Sequence, residues 1–238
     1  RLAKFLIPRA DCLRVVSERI KHSIIGRFPN AELNISVLPI FVDTERLAKL
    51  LPSTNLHKKY QEFSFIILMV SRLTREKNIG LAIEAMAEIV KKESKTGLVI
   101  VGDGPELDKL KIQSEKLKVA DNIRFVGWED DLVSYYKSAD LYLLTSNYEG
   151  YGRTVIEALA CNLPVVMTDV GVAGEVVIDR NNGIIVPTNE FSGLIFEILK
   201  LIQDKKAYAE LKENSRLPAP MPSKEEYLRR FKESLERC

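Results

Sequence analysis

"FSFIILMVSRLTREKNIGLAIEAMAEIVKKESKTGLVIVGDGPE", residues 63–106, holds an apolar run, a basic loop, an amphipathic stretch and a second apolar run. The runs "FSFIILMV" (63–70) and "GLVIVG" (97–102) are continuous rather than alternating. That is the pattern of strands covered on both faces in a parallel sheet. Between them, Ile79, Ile83, Met86, Ile89 and Val90 recur at helical spacing. Strand, helix and strand in this order make one crossover unit.

The unit repeats downstream. "NIRFVG" (122–127), "LYLLTS" (141–146), "PVVMTD" (164–169) and "GIIVP" (183–187) read as further strands. "GPELDKLKIQSEKLKV" reads as a helix, with Pro105 in its first turn and apolar positions at Leu107, Leu110 and Leu117. "DDLVSYYKSA" and "RTVIEALAC" read as two more helices. The alternation from about residue 63 to 205 predicts a doubly wound α/β domain with a parallel sheet. Residues 1–40 read as helix, strand ("CLRVVS"), helix and strand ("ISVLPI"), and these two strands do not easily join the downstream sheet. "RLPAPMPS" (216–223) breaks the chain with three prolines, and "KEEYLRRFKESLERC" forms a closing helix with a solvated Lys/Glu face.

Bulk properties exclude several classes. At 238 residues the chain buries a full core. Basic and acidic residues, 35 against 33, nearly cancel, which argues against a nucleic-acid partner. Cys12, Cys161 and Cys238 are odd in number and far apart, so free thiols and a reducing compartment are expected. No apolar run approaches the ~18 residues that span a bilayer, and no charged-then-apolar leader opens the chain. "NIS" at Asn34 is a glycosylation sequon by form alone, and reads as chance.

Ligands of open α/β sheets sit beyond the carboxyl ends of the strands. After the first strand come Arg72, Arg75 and Lys77, before a helix N-terminus. An anion site and a solvated basic loop both fit that spacing. Gly102 and Gly104 at the next strand end fit a tight strand–helix turn better than a ligand cradle. At the third, Trp128 either lines a flat base or packs under a loop, with backbone groups of Val126 and Gly127 alongside.

"NYEGYGRTVIEALACNLPVV" (147–166) carries Glu149 on a loop and Glu157 one turn inside a helix that starts near Arg153. Gly150 and Gly152 keep side chains off that helix end, where amides of Arg153 and Thr154 can meet a diphosphate. A carboxylate accepts two hydroxyl hydrogen bonds at once, which suits vicinal hydroxyls of a sugar. Two acids so near a phosphate repel it unless cations offset them, and Arg72 and Lys77 supply those cations. Metal chemistry is not indicated: His22 and His57 are the only histidines, without ligand spacing, and read as surface or packed residues. Nor does "EGYGRTV" match a phosphate-binding Walker loop.

With these residues in place the chain resembles the retaining glycosyltransferases of family 4, which have the two-domain GT-B fold. The resemblance runs in order through "VSRLTREKN", "VGDGPE", "IRFVGW", "ADLYLLTSNYEGYGRTVIEALACNLPVV", "GEVV" and "NNGIIVP", over about residues 63–190. It implies a Rossmann-like C-terminal domain that binds a nucleotide-sugar, UDP- or GDP-hexose, without a metal or other cofactor. Arg72 and Lys77 match the pair that neutralises the donor diphosphate. Glu149 matches the first acid of the family's E-x7-E element, set against the transferred sugar, and Glu157 the second, on the ribose hydroxyls. Gly152, Arg153 and Thr154 match the segment beside the phosphates, and Val126, Gly127 and Trp128 the segment near the base. Transfer with retention to a lipid-linked or polysaccharide acceptor is implied, in the cytoplasm or peripheral on the inner membrane face.

The resemblance also implies boundaries. Residues 1–45 match the end of an N-terminal acceptor domain and the interdomain linker, 46–218 the nucleotide-sugar domain, and 219–238 a helix crossing back. The rest of the N-terminal domain is expected in a longer form of the chain or in a partner, and the isolated chain is expected to be inactive. "PIFVDTERL" replaces the common "pnGvD" linker form, and "DVGVAGEVV" inserts a pair of residues before Glu175 in a loop that approaches the sugar in relatives. Two rival readings share the sheet: a nucleotide-sugar epimerase, which "SRLTREKN" with E-x7-E fits less well, and a non-catalytic binding subunit.

Overall fold

The computed structural model describes residues 2–188 and 190–236. Its first part is a small unit: α1 (Leu2–Leu6), β1 (Leu13–Val15), α2 (Glu18–Arg27) and β2 (Ile35–Val37). The two strands pair in parallel, Leu13 with Ile35 and Val15 with Val37, in a sheet of their own. The Ser17 side chain caps α2 by accepting from the Ile20 amide. Next come α3 (Thr44–Lys49) and α4 (Leu56–Lys59), capped in the same way by Asp43 and Asn55.

The main sheet is built from β3 (Phe65–Val70), β4 (Thr96–Val101), β5 (Ile123–Gly127), β6 (Leu141–Leu144), β7 (Val165–Thr168) and β8 (Ile184–Val186). All pairings are parallel and the spatial order is β5-β4-β3-β6-β7-β8. The connecting helices are α5 (Ile79–Ile89), α6 (Leu107–Lys116), α7 (Leu132–Ser138) and α8 (Arg153–Ala160). The chain closes with α9 (Phe191–Gln203), α10 (Lys205–Asn214) and α11 (Lys224–Glu236).

The continuous apolar runs have a simple cause. On β3, Ile66, Leu68 and Val70 enter a core shared with α7 and α8, while Ile67 and Met69 enter a second core shared with α5, α6 and α9. Burying a side chain of this size stabilises the fold by about 1.5–3 kcal/mol, so a polar residue on either face of β3 would be expelled. The strand order reverses between β3 and β6, which are neighbours in space but separated in sequence by β4 and β5. A crevice opens at such a switch point.

All six expected strands of the main sheet form, and the two early strands stand apart from them as expected. Two expectations need correcting. Pro105 precedes the first turn of α6, whose cap is Glu106, because the Glu106 amide donates to Leu73 O and holds that turn against the loop after β3. Cys12 is disulfide-bonded rather than a free thiol, since pairing follows distance in the fold and not separation along the chain. Cys161 is free and partly buried, and burial pushes its thiol up to about 11; Cys238 lies outside the described residues. Helix α11 carries exposed ion pairs among Glu226, Arg229, Arg230 and Glu233, a solvated face as expected. Its other side packs on the early unit, with Arg14 over the Phe231 ring at 4.5 Å and Tyr227 5.4 Å from Phe41. Among the described residues no helix is long and apolar enough to cross a membrane.

Candidate functional site

At the switch point the loops leaving β3 and β6 are laced together. Thr145 Oγ1 donates to the carbonyls of Lys77 and Asn78, and the Asn147 amide donates to Glu76 O at 2.8 Å. Asn78 takes the left-handed conformation that turns the chain into α5 (φ 48°), which Asn tolerates better than most residues. This lacing puts Lys77 Nζ 2.6 Å from Glu149 Oε1. The same oxygen accepts from Ser146 Oγ at 2.8 Å. Both charged side chains are largely buried, 16% exposed for Lys77 and 11% for Glu149.

Helix α8 starts from Gly152, whose φ of 100° would strain any residue with a Cβ. Gly171, on the loop after β7, lies so close behind that a Cβ there would stand 2.3 Å from Tyr151 O and 2.9 Å from Glu149 Cβ. Glycine at 171 therefore sets the depth of the Glu149 loop. One turn into α8, Glu157 is 6% exposed. Its Oε1 accepts from Arg153 Nε at 2.8 Å and its Oε2 from Tyr136 Oη at 2.9 Å. Thr154 Oγ1 accepts from Tyr142 Oη at 2.6 Å. Tyr142 sits between the two acids: burial, and then the charges of Glu149 and Glu157, push its phenol far up.

The remaining expected site residues lie on the rim. The Arg72 side chain is 76% exposed and reaches Glu76 at a loose 3.8 Å. Trp128 is 78% exposed, its Nε1 donating to Asp130 Oδ1 at 3.2 Å, so it is not packed under a loop. Val126 packs on the core and Gly127 O accepts from the Gly102 amide at 2.7 Å. Arg75 turns to the other side of its loop and lines an open cavity of about 460 Å³ with Lys109, Gln113 and Asn147.

Gly102 and Gly104 are explained by geometry, as expected: a Cβ would fall 2.0 Å from Ser71 O and 2.5 Å from Leu73 O. Glu175, by contrast, is turned to the early unit. Its carboxylate accepts from the Glu18 and Arg19 amides at 3.1 and 2.7 Å, capping α2, while Arg19 donates to Asp169 and to Ala173 O. His57 Nε2 is 3.0 Å from Asp140 Oδ2 and His22 Nδ1 is 2.8 Å from Glu18 O, so both histidines have structural partners. Among the described residues no group of three His, Cys, Asp or Glu is arranged to hold a metal ion.

Three contributors carried no signal in the sequence. Tyr136 and Tyr142 sit in "SYYK" and "LYLL" and read as core residues, which they also are. Ser71, at the end of β3, has a buried hydroxyl without a hydrogen-bond partner, in a small cleft shared with Lys77, Tyr142 and Ser146. A buried hydroxyl in that state is unusual.

The chain matches the family described as glycosyl transferases group 1 over residues 53–217. N-acetyl-alpha-D-glucosaminyl L-malate synthase of Bacillus anthracis is 29% identical over 222 residues, 90% of this chain and 56% of that protein. Alpha-monoglucosyldiacylglycerol synthase of Acholeplasma laidlawii is 32% identical over 166 residues, 68% of this chain and 41% of that protein. The chain thus spans about half the length of the curated relatives it matches. Among solved structures, Anabaena HepE in complex with UDP and glucose superposes with a TM-score of 0.82 at 25% identity, covering 99% of this chain and 66% of that one. With its switch-point crevice and parallel sheet, the chain belongs to the glycosyl transferases group 1 and has the Rossmann-like C-terminal domain of a GT-B fold.

Proposed function

We propose that this chain binds a UDP-sugar and supplies the donor half of a retaining hexosyl transfer. One observation carries the reading: at the switch point two carboxylates, Glu149 and Glu157, are each closed on a cation, Lys77 and Arg153. Acids provide acceptors for sugar hydroxyls, and cations provide charge for a diphosphate. Either set alone would misfit a nucleotide-sugar.

In this reading the diphosphate lies over the N-terminus of α8, drawing Lys77 and Arg153 from their carboxylates and Arg72 in from the rim. Glu157 takes the ribose hydroxyls, Glu149 the hexose, and Val126, Gly127 and Trp128 border the base. As the sugar–phosphate bond breaks, negative charge grows on the departing UDP. Lys77 and Arg72 stabilise it there, as cations aimed at the charge that develops in the transition state do. The acceptor hydroxyl attacks from the face the diphosphate leaves and passes its proton to the departing phosphate oxygen, giving retention. No metal takes part.

HepE, with UDP and glucose bound, supports uridine over guanosine. The lipid product in the name of the Acholeplasma relative supports a lipid-linked acceptor, with a polysaccharide second, and action at the inner membrane face. Acceptor binding and turnover require the N-terminal domain of the GT-B fold, in the same chain or a partner.

Calorimetric titration with UDP, GDP, ADP and their hexose derivatives tests this, with and without EDTA. UDP is expected to bind in both buffers, with one UDP-hexose altering the affinity. Glu157→Ala should weaken every nucleotide, whereas Glu149→Ala should chiefly remove the difference between UDP and UDP-hexose. No nucleotide bound, or binding abolished by EDTA, would sink the reading; GDP in place of UDP would correct the base.

A further inference from the structure

Glu157 holds a different side chain on each carboxylate oxygen, whereas Glu149 takes Lys77 and Ser146 on the same one. Arg153, which takes Oε1 at 2.8 Å, stands 63% exposed. Tyr136, which donates to Oε2, is 1% exposed, and its ring packs on Tyr142 with centroids 5.9 Å apart. Burial, with the neighbouring Tyr142 and Glu157, raises the Tyr136 phenol well above its usual range. At any working pH it therefore stays protonated and remains a donor.

We propose that Tyr136 is a positioning residue, whose hydroxyl fixes the carboxylate plane of Glu157 so that both oxygens present free lone pairs to the ribose diol. The inference rests on the reading of Glu157 as the ribose-binding acid. A glutamate on a helix has three rotatable side-chain bonds and turns its carboxylate freely once its partner leaves. When the diphosphate draws Arg153 away, Tyr136 is the contact that keeps Glu157 in place.

Tyr136 can do so because α7 is anchored on its far side. Asp131 caps the helix at the Ser134 amide. Ser134 Oγ accepts from the amides of Ser53 and Thr54, and Ser138 Oγ from that of Leu56. Lys137 Nζ donates to the carbonyls of Ala48 and Leu50. The segment at 48–56 and the ribose acid thus hang from opposite sides of one short helix.

Tyr136→Phe keeps the ring and removes the hydroxyl. Affinities for UDP and for its dideoxyribose analogue are measured calorimetrically in wild type, Tyr136→Phe, Glu157→Ala and the double variant, with melting curves for each. Tyr208→Phe serves as the packing control, since it loses a partly buried hydroxyl that donates to Asp140 O, away from the site. The expected result is about a tenfold loss of UDP affinity in Tyr136→Phe, the scale of one hydrogen bond to a charged group. The analogue should bind unchanged, and the double variant should be no worse than Glu157→Ala. Equal weakening of both ligands, no change in either, or the same fall in Tyr208→Phe would overturn the proposal. If Glu157→Ala itself leaves the ratio of the two ligands untouched, the ribose reading falls and takes the proposal with it. If that ratio falls in Glu157→Ala but not in Tyr136→Phe, only the positioning role is lost.

Discussion

Lys77 and Arg72 leave the same strand five residues apart, yet Lys77 is 16% exposed and locked on Glu149 at 2.6 Å, while Arg72 is 76% exposed with a loose neighbour at 3.8 Å. The same division runs through the whole site. Glu149, Glu157, Thr154, Tyr136 and Tyr142 form a bonded interior, and Arg72, Gly127 and Trp128 form an open border. The difference teaches which properties folding has already settled. In the interior the charges are desolvated and matched before any ligand arrives, so changes there strike stability and binding together. On the border the ligand itself completes the contacts, so changes should register in binding alone.

The largest expected effect comes from opening the interior pair. Lys77→Ala strands Glu149 without its cation, and losing one member of a largely buried pair costs about 3 kcal/mol of stability. Urea denaturation measures it. Replacing both residues, as Lys77→Met with Glu149→Leu, should recover most of the loss. A fall below about 0.5 kcal/mol in the single variant would mean that the pair is as solvated as an ordinary surface pair.

Glycines sharpen the same contrast. Gly171→Ala forces a Cβ to within 2.3 Å of Tyr151 O at a φ of 55°. Such strain with a backbone clash is expected to remove about 2 kcal/mol by thermal melting. Gly127→Ala meets no atom within 4 Å, and its φ of 85° leaves the conformational penalty alone, about 1 kcal/mol. Equal losses at the two positions would erase the distinction between a packed interior and an open border.

Arg72→Ala should leave stability within about 0.5 kcal/mol and weaken UDP by roughly tenfold, an effect that shrinks as salt rises. A melting shift as large as that of Lys77→Ala would place Arg72 in the interior after all. The smallest effect belongs to Trp128→Ala. With the ring 78% exposed, stability should not change and UDP affinity should fall by no more than about threefold.

How much of this was legible in advance varies by residue. The strands were, because β3 buries Ile66, Leu68 and Val70 on one side and Ile67 and Met69 on the other. A parallel strand covered on both faces has no choice but to be apolar throughout. Lys77 and the two glutamates were legible as candidates because acids interleaved with Gly, Arg and Thr at a helix start, with cations on the neighbouring strand end, suit a ligand that is part anion and part polyol. Arg75 was not separable from Arg72 and Lys77, since the direction of a loop side chain depends on how its neighbours are laced. The loop before Glu175 was expected to approach the sugar, and nothing in its spacing showed that the Glu175 carboxylate caps α2 across a long stretch of chain. The bonded state of Cys12 was likewise hidden, because a cysteine's partner is a matter of distance in the fold.

The amino-acid sequence by itself determined the alternation of strand and helix, the apolar cores and the residue types gathered at the strand ends. Each of those follows from local spacing and from what water excludes. Only the tertiary structure decided which cation meets which acid, which glycine lies under which loop, and that Tyr136 reaches Glu157 from beneath. Those pairings depend on the strand order, which brings β6 back beside β3 and sets α7 under α8. Contacts made across such a crossover are fixed by three-dimensional packing, and no periodicity along the chain encodes them.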